Sequence, residues 1–235
     1  MLTATKIKLN LKSYADPEKA DFFPRFFKTG KGEYGEGDRF FGVTVPNQRK
    51  VAKQFKHATQ EVITALLYDS IHECRLTSLF ILVEQFSKAN DKRRGEIYRF
   101  YLKHRRQINN WDLVDSSAHK IVGAFLMNRP RTKLYQLARS KHLWSQRISI
   151  VATYQFIRQN DFEDTLAISE LLIEHEHDLI HKAVGWMLRE TGKRDVAILK
   201  TFLTKHYHSM PRTMLRYAIE RFDQPTRSLY LKGEI

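Results

Sequence analysis

The 235-residue sequence has little of several things, and each shortage excludes a class of protein. Cys74 is the only cysteine, so the chain can form neither an intrachain disulfide nor a metal site built on several cysteines. Its 10 glycines and 6 prolines are too few for a loop-rich or all-β chain. The longest tight apolar run, residues 79–83, is far too short for a membrane span, and residues 1–14 lack the apolar core of a signal peptide. We therefore expect a cytoplasmic protein with no membrane partner.

The charge is strongly one-sided. Lys and Arg total 40 against 26 for Asp and Glu, which gives a net charge of +14. With 42% hydrophobic and 12% aromatic residues, the chain has ample apolar surface to fold. A folded, strongly basic chain indicates a polyanionic partner.

The apolar residues follow a helical period. Leu76, Leu79, Phe80 and Val83 recur at the spacing of one helix face. Asp16 followed by Pro17 is typical of a helix start, and Gly192 and Gly233 are placed where helices could end. The sequence predicts an all-α fold of about a dozen short helices.

A weak internal repeat refines that prediction. Five segments share a polar or aromatic anchor that opens an apolar helix, and their anchors are 36, 36, 35 and 30 residues apart. The anchors are Arg75, Trp111, Arg147, Lys182 and Arg212. Such a period is typical of an α-solenoid, so we expect one HEAT-like helical-repeat domain over residues 1–235, with a flexible glycine-rich connector at about 29–45.

Stacked repeats would align equivalent positions. Arg75, Arg147, Lys182 and Arg212 would then form a basic stripe on a curved, concave face, able to meet successive phosphates of a duplex. The alternative is that they are ordinary helix-start residues whose charges face water.

Several motifs are weaker than they first look. Residues 30–35 match G-x-G-x-x-G but lack the strand that a dinucleotide site requires before it. We interpret them as a connector that could touch a ligand through Tyr34 or Arg39. His177 and His181 have the spacing of metal ligands without a suitably placed Glu. We therefore expect no metal and no cofactor.

Trp111 and Asp115 are four residues apart, so they share one face of a helix. If the repeats stack in register, they would meet Trp186 and Arg147 at a single spot on the basic face. Each residue alone has an ordinary structural explanation, because a Trp at a repeat position usually belongs to the core. The combination favours a site.

At these residues the sequence resembles the AlkD-type DNA alkylation repair family. The resemblance covers about residues 17–222 and is densest at three segments, which are 111–116, 143–147 and 182–190. It implies a helical-repeat DNA glycosylase that excises cationic N3- or N7-alkylated purines from duplex DNA. It also implies a catalytic aspartate at Asp115, sugar-contacting tryptophans at Trp111 and Trp186, and an arginine beside the aspartate at Arg147.

The chain departs from the family pattern in two places. Phe26 stands where a family member has tyrosine, so it could stack on a ligand but not donate a hydrogen bond. The segment 30–42 also looks longer than in that member. These departures bear on which lesion is preferred.

Three other functions stay open at this point. The chain could be a helical-repeat protein that binds DNA without catalysis, or a protein–protein scaffold with an acidic partner. It could also be a bifunctional lyase acting through Lys182. For the glycosylase we expect a monomer that contacts double-stranded DNA through residues including Arg75, Lys182, Arg212, Phe26 and Arg39.

Overall fold

A computed structural model describes residues 2–235, and these divide into two compact units, residues 2–117 and 118–235. The prediction of an all-α fold is confirmed, since the described residues form helices and a single isolated bridge between Arg39 and Ile71. None of the described helices is long and apolar enough to cross a bilayer.

Unit 1 is built around one long helix. Its helices are α1 (Ala4–Lys12), α2 (Pro17–Phe26), α3 (Val45–Gln54), α4 (Gln60–Leu67), α5 (His72–Lys88), α6 (Asp91–Lys103) and α7 (Trp111–Ala118), with a 3₁₀ turn at Arg105–Gln107. Every residue from 71 to 82 is buried, and α5 packs against α1, α3, α4 and α6. Asp16 caps α2 by accepting a hydrogen bond from the Lys19 N–H, as predicted.

The connector at 29–45 is attached to α5. Glu73, which is buried in the first turn of α5, accepts hydrogen bonds through one carboxylate oxygen from the N–H groups of Phe41, Gly42 and Val43 at 2.8–3.1 Å. Gly42 has φ +81°, and a Cβ there would collide with the Asp16 carbonyl. We call residues 30–42 the glycine loop. The hydrogen bonds from the Phe41 and Gly42 N–H groups to the Glu73 carboxylate fix the end of this loop to α5.

Unit 2 has the same all-helical character. It contains a π-helical turn at His119–Gly123 and the helices α8 (Ala124–Leu126), α9 (Thr132–Ala138), α10 (Leu143–Ala152), α11 (Tyr154–Ile157), α12 (Glu163–Leu171), α13 (Asp178–Arg194), α14 (Val196–His206), α15 (Arg212–Ala218) and α16 (Gln224–Lys232). Its central helix is α13, which packs against α10, α14 and α15. Gly233 ends α16 in a left-handed conformation, as predicted.

Gly192 does not end a helix, so that expectation was wrong. It lies inside α13, where a Cβ would meet the Leu199 side chain of α14. Tertiary packing, rather than a turn, explains the glycine here.

The five anchors of the internal repeat all fall within the first five residues of a helix, in α5, α7, α10, α13 and α15.

Gly185 allows α13 and α15 to approach closely. A Cβ at this position would lie 2.5 Å from both the Met214 carbonyl oxygen and the Tyr217 Cβ. Ala is favoured over Gly in a helix by about 1 kcal/mol, but neither neighbour can move without separating the two helices. We expect Gly185→Ala to lower the free energy of unfolding by about 1–3 kcal/mol, measured by urea denaturation.

Gly192→Ala, in the same helix, is the matched control. Its nearest neighbour is the end of the Leu199 side chain rather than a backbone atom, so a side-chain shift can relieve the contact without separating the helices. We therefore expect a smaller loss of stability. Equal losses in the two variants would contradict this explanation of Gly185.

Candidate functional site

The first turn of α7 presents Trp111 and Asp115 on one side of the helix. Both are half-buried, whereas Leu113 and Val114 between them are fully buried and fix the orientation of the helix. Buried Asn110 precedes the helix, and its Oδ1 accepts a hydrogen bond from the Trp111 N–H at 2.8 Å. The tryptophan ring and the carboxylate are thus carried by a well-anchored helix start.

Asp115 lies close to a buried phenol. Tyr101 of α6 is fully buried and forms a hydrogen bond of 2.8 Å with the Ser117 hydroxyl. Burial raises the pKa of Tyr101, and the negative charge of Asp115 raises it further. Tyr101 therefore stays neutral beneath the carboxylate.

Three phenylalanine rings, those of Phe26, Phe27 and Phe40, cluster at Trp111, and we call them the aromatic wall. Phe27 stacks on the indole with ring centroids 5.5 Å apart and planes 17° apart, and Phe26 meets it edge-on at 5.5 Å. Phe27 also stacks on Phe40 of the glycine loop at 5.2 Å. The structure thus brings the predicted residues Phe26 and Trp111 together, and about half of the Phe26 side chain (49%) is exposed.

The two predicted arginines of unit 1 have different environments. Arg39 is exposed, and its guanidinium donates a hydrogen bond to the Ser70 hydroxyl at 2.7 Å. Arg75 is only 4% exposed and donates hydrogen bonds to Asp38 and to Asn109, the latter at 2.5 Å. Arg75 therefore does not face solvent as the predicted basic stripe requires. Its guanidinium is paired with Asp38 inside the protein instead.

In unit 2, Arg147 is also buried. Its guanidinium donates a hydrogen bond to the Leu179 carbonyl, which ties α10 to the first turn of α13. Trp186, two turns further along α13, is half-buried, with its ring 5.9 Å from that of Tyr154. Tyr154 in turn contacts His119 edge-on at 5.3 Å. Trp186 therefore belongs to a second aromatic cluster, together with Tyr154 and His119.

The other predicted basic residues of unit 2 lie nearer the surface. Lys182 forms an ion pair with Asp178 at 2.6 Å, one turn earlier in α13. Arg212 opens α15, is exposed and donates to the Leu231 carbonyl. It stays a prediction that Trp111 and Asp115 of unit 1 meet Arg147 and Trp186 of unit 2 at one spot.

The histidines before α13 have a structural use. His175 accepts a hydrogen bond from the His177 N–H at 2.9 Å, and His177 accepts one from the Leu179 N–H at 3.1 Å. They shape the chain that enters α13. Among residues 2–235, no group of three His, Cys, Asp or Glu side chains is placed to hold a metal ion.

Sequence reasoning missed Phe27, Phe40, His72 and Tyr154. Phe27 and Phe40 each stand beside another phenylalanine in the sequence, and only this pairing could have pointed to them. His72 lies against both rings, with centroid distances of 4.7 and 5.1 Å. Nothing near it in the sequence suggests that contact.

Comparison with known proteins gives consistent results. The model of a family described as DNA alkylation repair enzyme matches residues 7–222. Among solved structures, a predicted DNA alkylation repair enzyme from Enterococcus faecalis is similar, with a TM-score of 0.69 and 15% identity; 89% of this chain and 97% of that chain are covered. No curated protein matches. At this identity the structural similarity shows the fold alone, and it confirms the helical-repeat prediction.

Proposed function

Because the chain belongs to the DNA alkylation repair enzyme family, we propose that it is a DNA glycosylase that excises cationic N3- and N7-alkylated purines from duplex DNA. The observation that carries this proposal is the first turn of α7. It presents a carboxylate and an indole on one half-open side, next to the aromatic wall, in a chain with a net charge of +14.

The chemistry suits these groups. An alkylated purine already carries a positive charge, so it leaves as a neutral base when its bond to the sugar C1′ breaks and takes the bonding electrons. The sugar becomes an oxocarbenium-like cation, and a water oxygen then bonds to C1′ and releases a proton. The step therefore needs stabilisation of a cation more than a strong acid.

Asp115 supplies the negative charge in this proposal. Its carboxylate stabilises the sugar cation and orients or deprotonates the attacking water. The face of Trp111 attracts the same cation, worth about 0.5–2 kcal/mol, and the family resemblance implies the same role for Trp186. Arg147, which is fixed by the Leu179 carbonyl, keeps in this proposal the role of a stationary positive charge that the family resemblance implies.

The duplex is bound by exposed groups. We assign Arg39, Lys182 and Arg212 to phosphate contacts, because their side chains reach the surface. Phe26 contributes an exposed ring next to Trp111. Arg75 is buried, so in this proposal it supports the binding surface through its hydrogen bonds to Asp38 and Asn109.

The test is the release of free base. We expect the protein to release 7-methylguanine and 3-methyladenine from methylated duplex DNA and to leave one abasic site for each base, measured by mass spectrometry and abasic-site labelling. Unmethylated duplex of the same sequence is the control.

The competing functions give other results. Binding of duplex with a steep salt dependence and no released base indicates a DNA-binding protein. Weak binding, little better than that of any basic protein, indicates a scaffold. Trapping of the protein on DNA by borohydride indicates a lyase acting through Lys182, and we expect none.

A further inference from the structure

Four charged side chains form a buried network beneath the aromatic wall. His72 and Arg75, one turn apart on α5, carry the positive charges, and Asp38 of the glycine loop and Asp112 of α7 carry the negative ones. Each side chain is about one-tenth exposed or less. We call these four residues the His72 network.

The imidazole of His72 bridges the two carboxylates. Its Nδ1 lies 2.9 Å from Asp38 Oδ2, and its Nε2 lies 2.8 Å from Asp112 Oδ2. An ionised carboxylate only accepts hydrogen bonds, so both ring nitrogens must carry a proton to make both bonds. With both carboxylates ionised, the imidazolium form satisfies both of these contacts; the Arg75 Nη2 also lies 3.3 Å from the His72 Nδ1.

The surroundings of His72 keep its imidazole protonated at neutral pH. Burial lowers the pKa of His72, but Asp112 and Asp38 more than offset it and raise the pKa to about 9. The groups that face the ring are the carboxylates of Asp38 and Asp112, the guanidinium of Arg75, the carboxyl of Glu73 and the rings of Phe27 and Phe40.

The network reaches Trp111 by two routes. Asp112 is its neighbour in α7, and Asn109, which is held by Arg75, lies just before that helix. From the other side, the imidazole contacts Phe27, and Phe27 stacks on the indole. A change at His72 therefore acts on both the backbone and the ring of Trp111.

Stability alone does not explain such an arrangement. Removing four charges from water is costly, and apolar replacements of buried ion pairs are often neutral or stabilising. In some proteins, buried charged bridges instead fix the geometry between the elements that they join. Here those elements are the glycine loop and the helix start that carries Trp111 and Asp115.

We propose that His72 is a positioning residue of this site: its two hydrogen bonds couple the glycine loop to the first turn of α7 and hold Trp111 in the orientation that the substrate requires. The catalytic part of this proposal rests on the proposed glycosylase function. The coupling of loop and helix does not.

The main test is His72→Gln, with His104→Gln as the matched control. Glutamine cannot donate to both carboxylates from the positions of the two ring nitrogens. His104 lies in the same unit, hydrogen-bonded to the Tyr68 hydroxyl, and is not a member of the His72 network. We expect His72→Gln to lower the single-turnover rate of base release by about 10- to 100-fold and to leave the duplex Kd within about threefold. His104→Gln is expected to change neither.

A second measurement needs no catalysis. The Gly35 N–H donates to the Lys28 carbonyl, and the Asp38 N–H donates to the Gly35 carbonyl, both within the loop region. We expect these amides to exchange with solvent at least about tenfold faster in His72→Gln and in Asp38→Ala. An NMR titration of the wild type is expected to show His72 titrating near pH 9, with a lower value in Asp38→Ala.

The outcomes separate the two proposals. If the wild type releases no base but the loop amides respond as expected, the glycosylase function fails and the coupling stands. If a folded His72→Gln keeps wild-type amide exchange, the coupling is overturned whatever the activity. If a smaller folded fraction fully accounts for the loss of rate, the positioning role is overturned as well. If His72→Gln does not fold, Asp38→Ala supplies the same comparison.

Discussion

Exchange of Asp115 for Asn is expected to slow base release by about 100- to 1,000-fold at saturating protein. The amide has nearly the same shape as the carboxylate, so α7 and the Trp111 ring should stay in place. What is lost is the negative charge that, in the proposed mechanism, faces the sugar cation in the transition state. The measurement is the single-turnover rate on duplex DNA containing 7-methylguanine, next to the wild type.

Affinity for undamaged duplex separates the catalytic role from a binding role. Asp115→Asn removes one negative charge from a basic protein, so binding should be equal or slightly tighter. Glu96→Gln makes the same charge change at a solvent-facing ion pair of α6, and it controls for net charge. A wild-type rate in Asp115→Asn would exclude Asp115 as the catalytic carboxylate.

Replacing Glu73 by Ala is expected to produce the largest loss of stability, about 3–5 kcal/mol. One oxygen of this buried carboxyl accepts the N–H groups of Phe41, Gly42 and Val43. Each buried N–H that loses its acceptor costs about 1–3 kcal/mol, reduced where water can enter the space. The measurement is urea denaturation of the full chain, followed by a probe in unit 1.

Glu73→Gln distinguishes hydrogen bonding from charge. The glutamine carbonyl can still accept the three N–H groups, so we expect a much smaller loss of stability. Burial raises the pKa of Glu73 above its usual value, so the folded state binds this proton more tightly than the unfolded state does. Its contribution to stability therefore falls as the pH rises above about 4.5, and the Gln variant should lack this dependence. Equal losses for Ala and Gln would contradict the acceptor role.

The helices were predictable because their signals are local. The apolar spacing of Leu76, Leu79 and Phe80 is that of α5, and Asp16 caps α2 where the sequence indicated. Gly192 shows the limit of local signals. A glycine is also used where another helix passes close by, and the residue that requires it, Leu199, belongs to α14.

The candidate site was predictable only in its exposed part. Trp111 and Phe26 were identified from motifs, and the structure places their rings in contact. The supporting residues were missed because their partners are distant in sequence. Asp38 and Asp112, for example, lie 34 and 40 residues from His72. No periodicity or spacing rule indicates such a pairing, which depends on how the loop and the helices fold together.

The burial of Cys74 makes unit 1 separately observable. The thiol lies fully inside α5, and burial raises its pKa to about 12, so almost none of the reactive thiolate exists while the helix stays packed. A thiol reagent can therefore modify this chain only after α5 opens. Because no other cysteine competes, the labelling rate divided by the rate for a free thiol gives the opening equilibrium of unit 1, without any signal from unit 2.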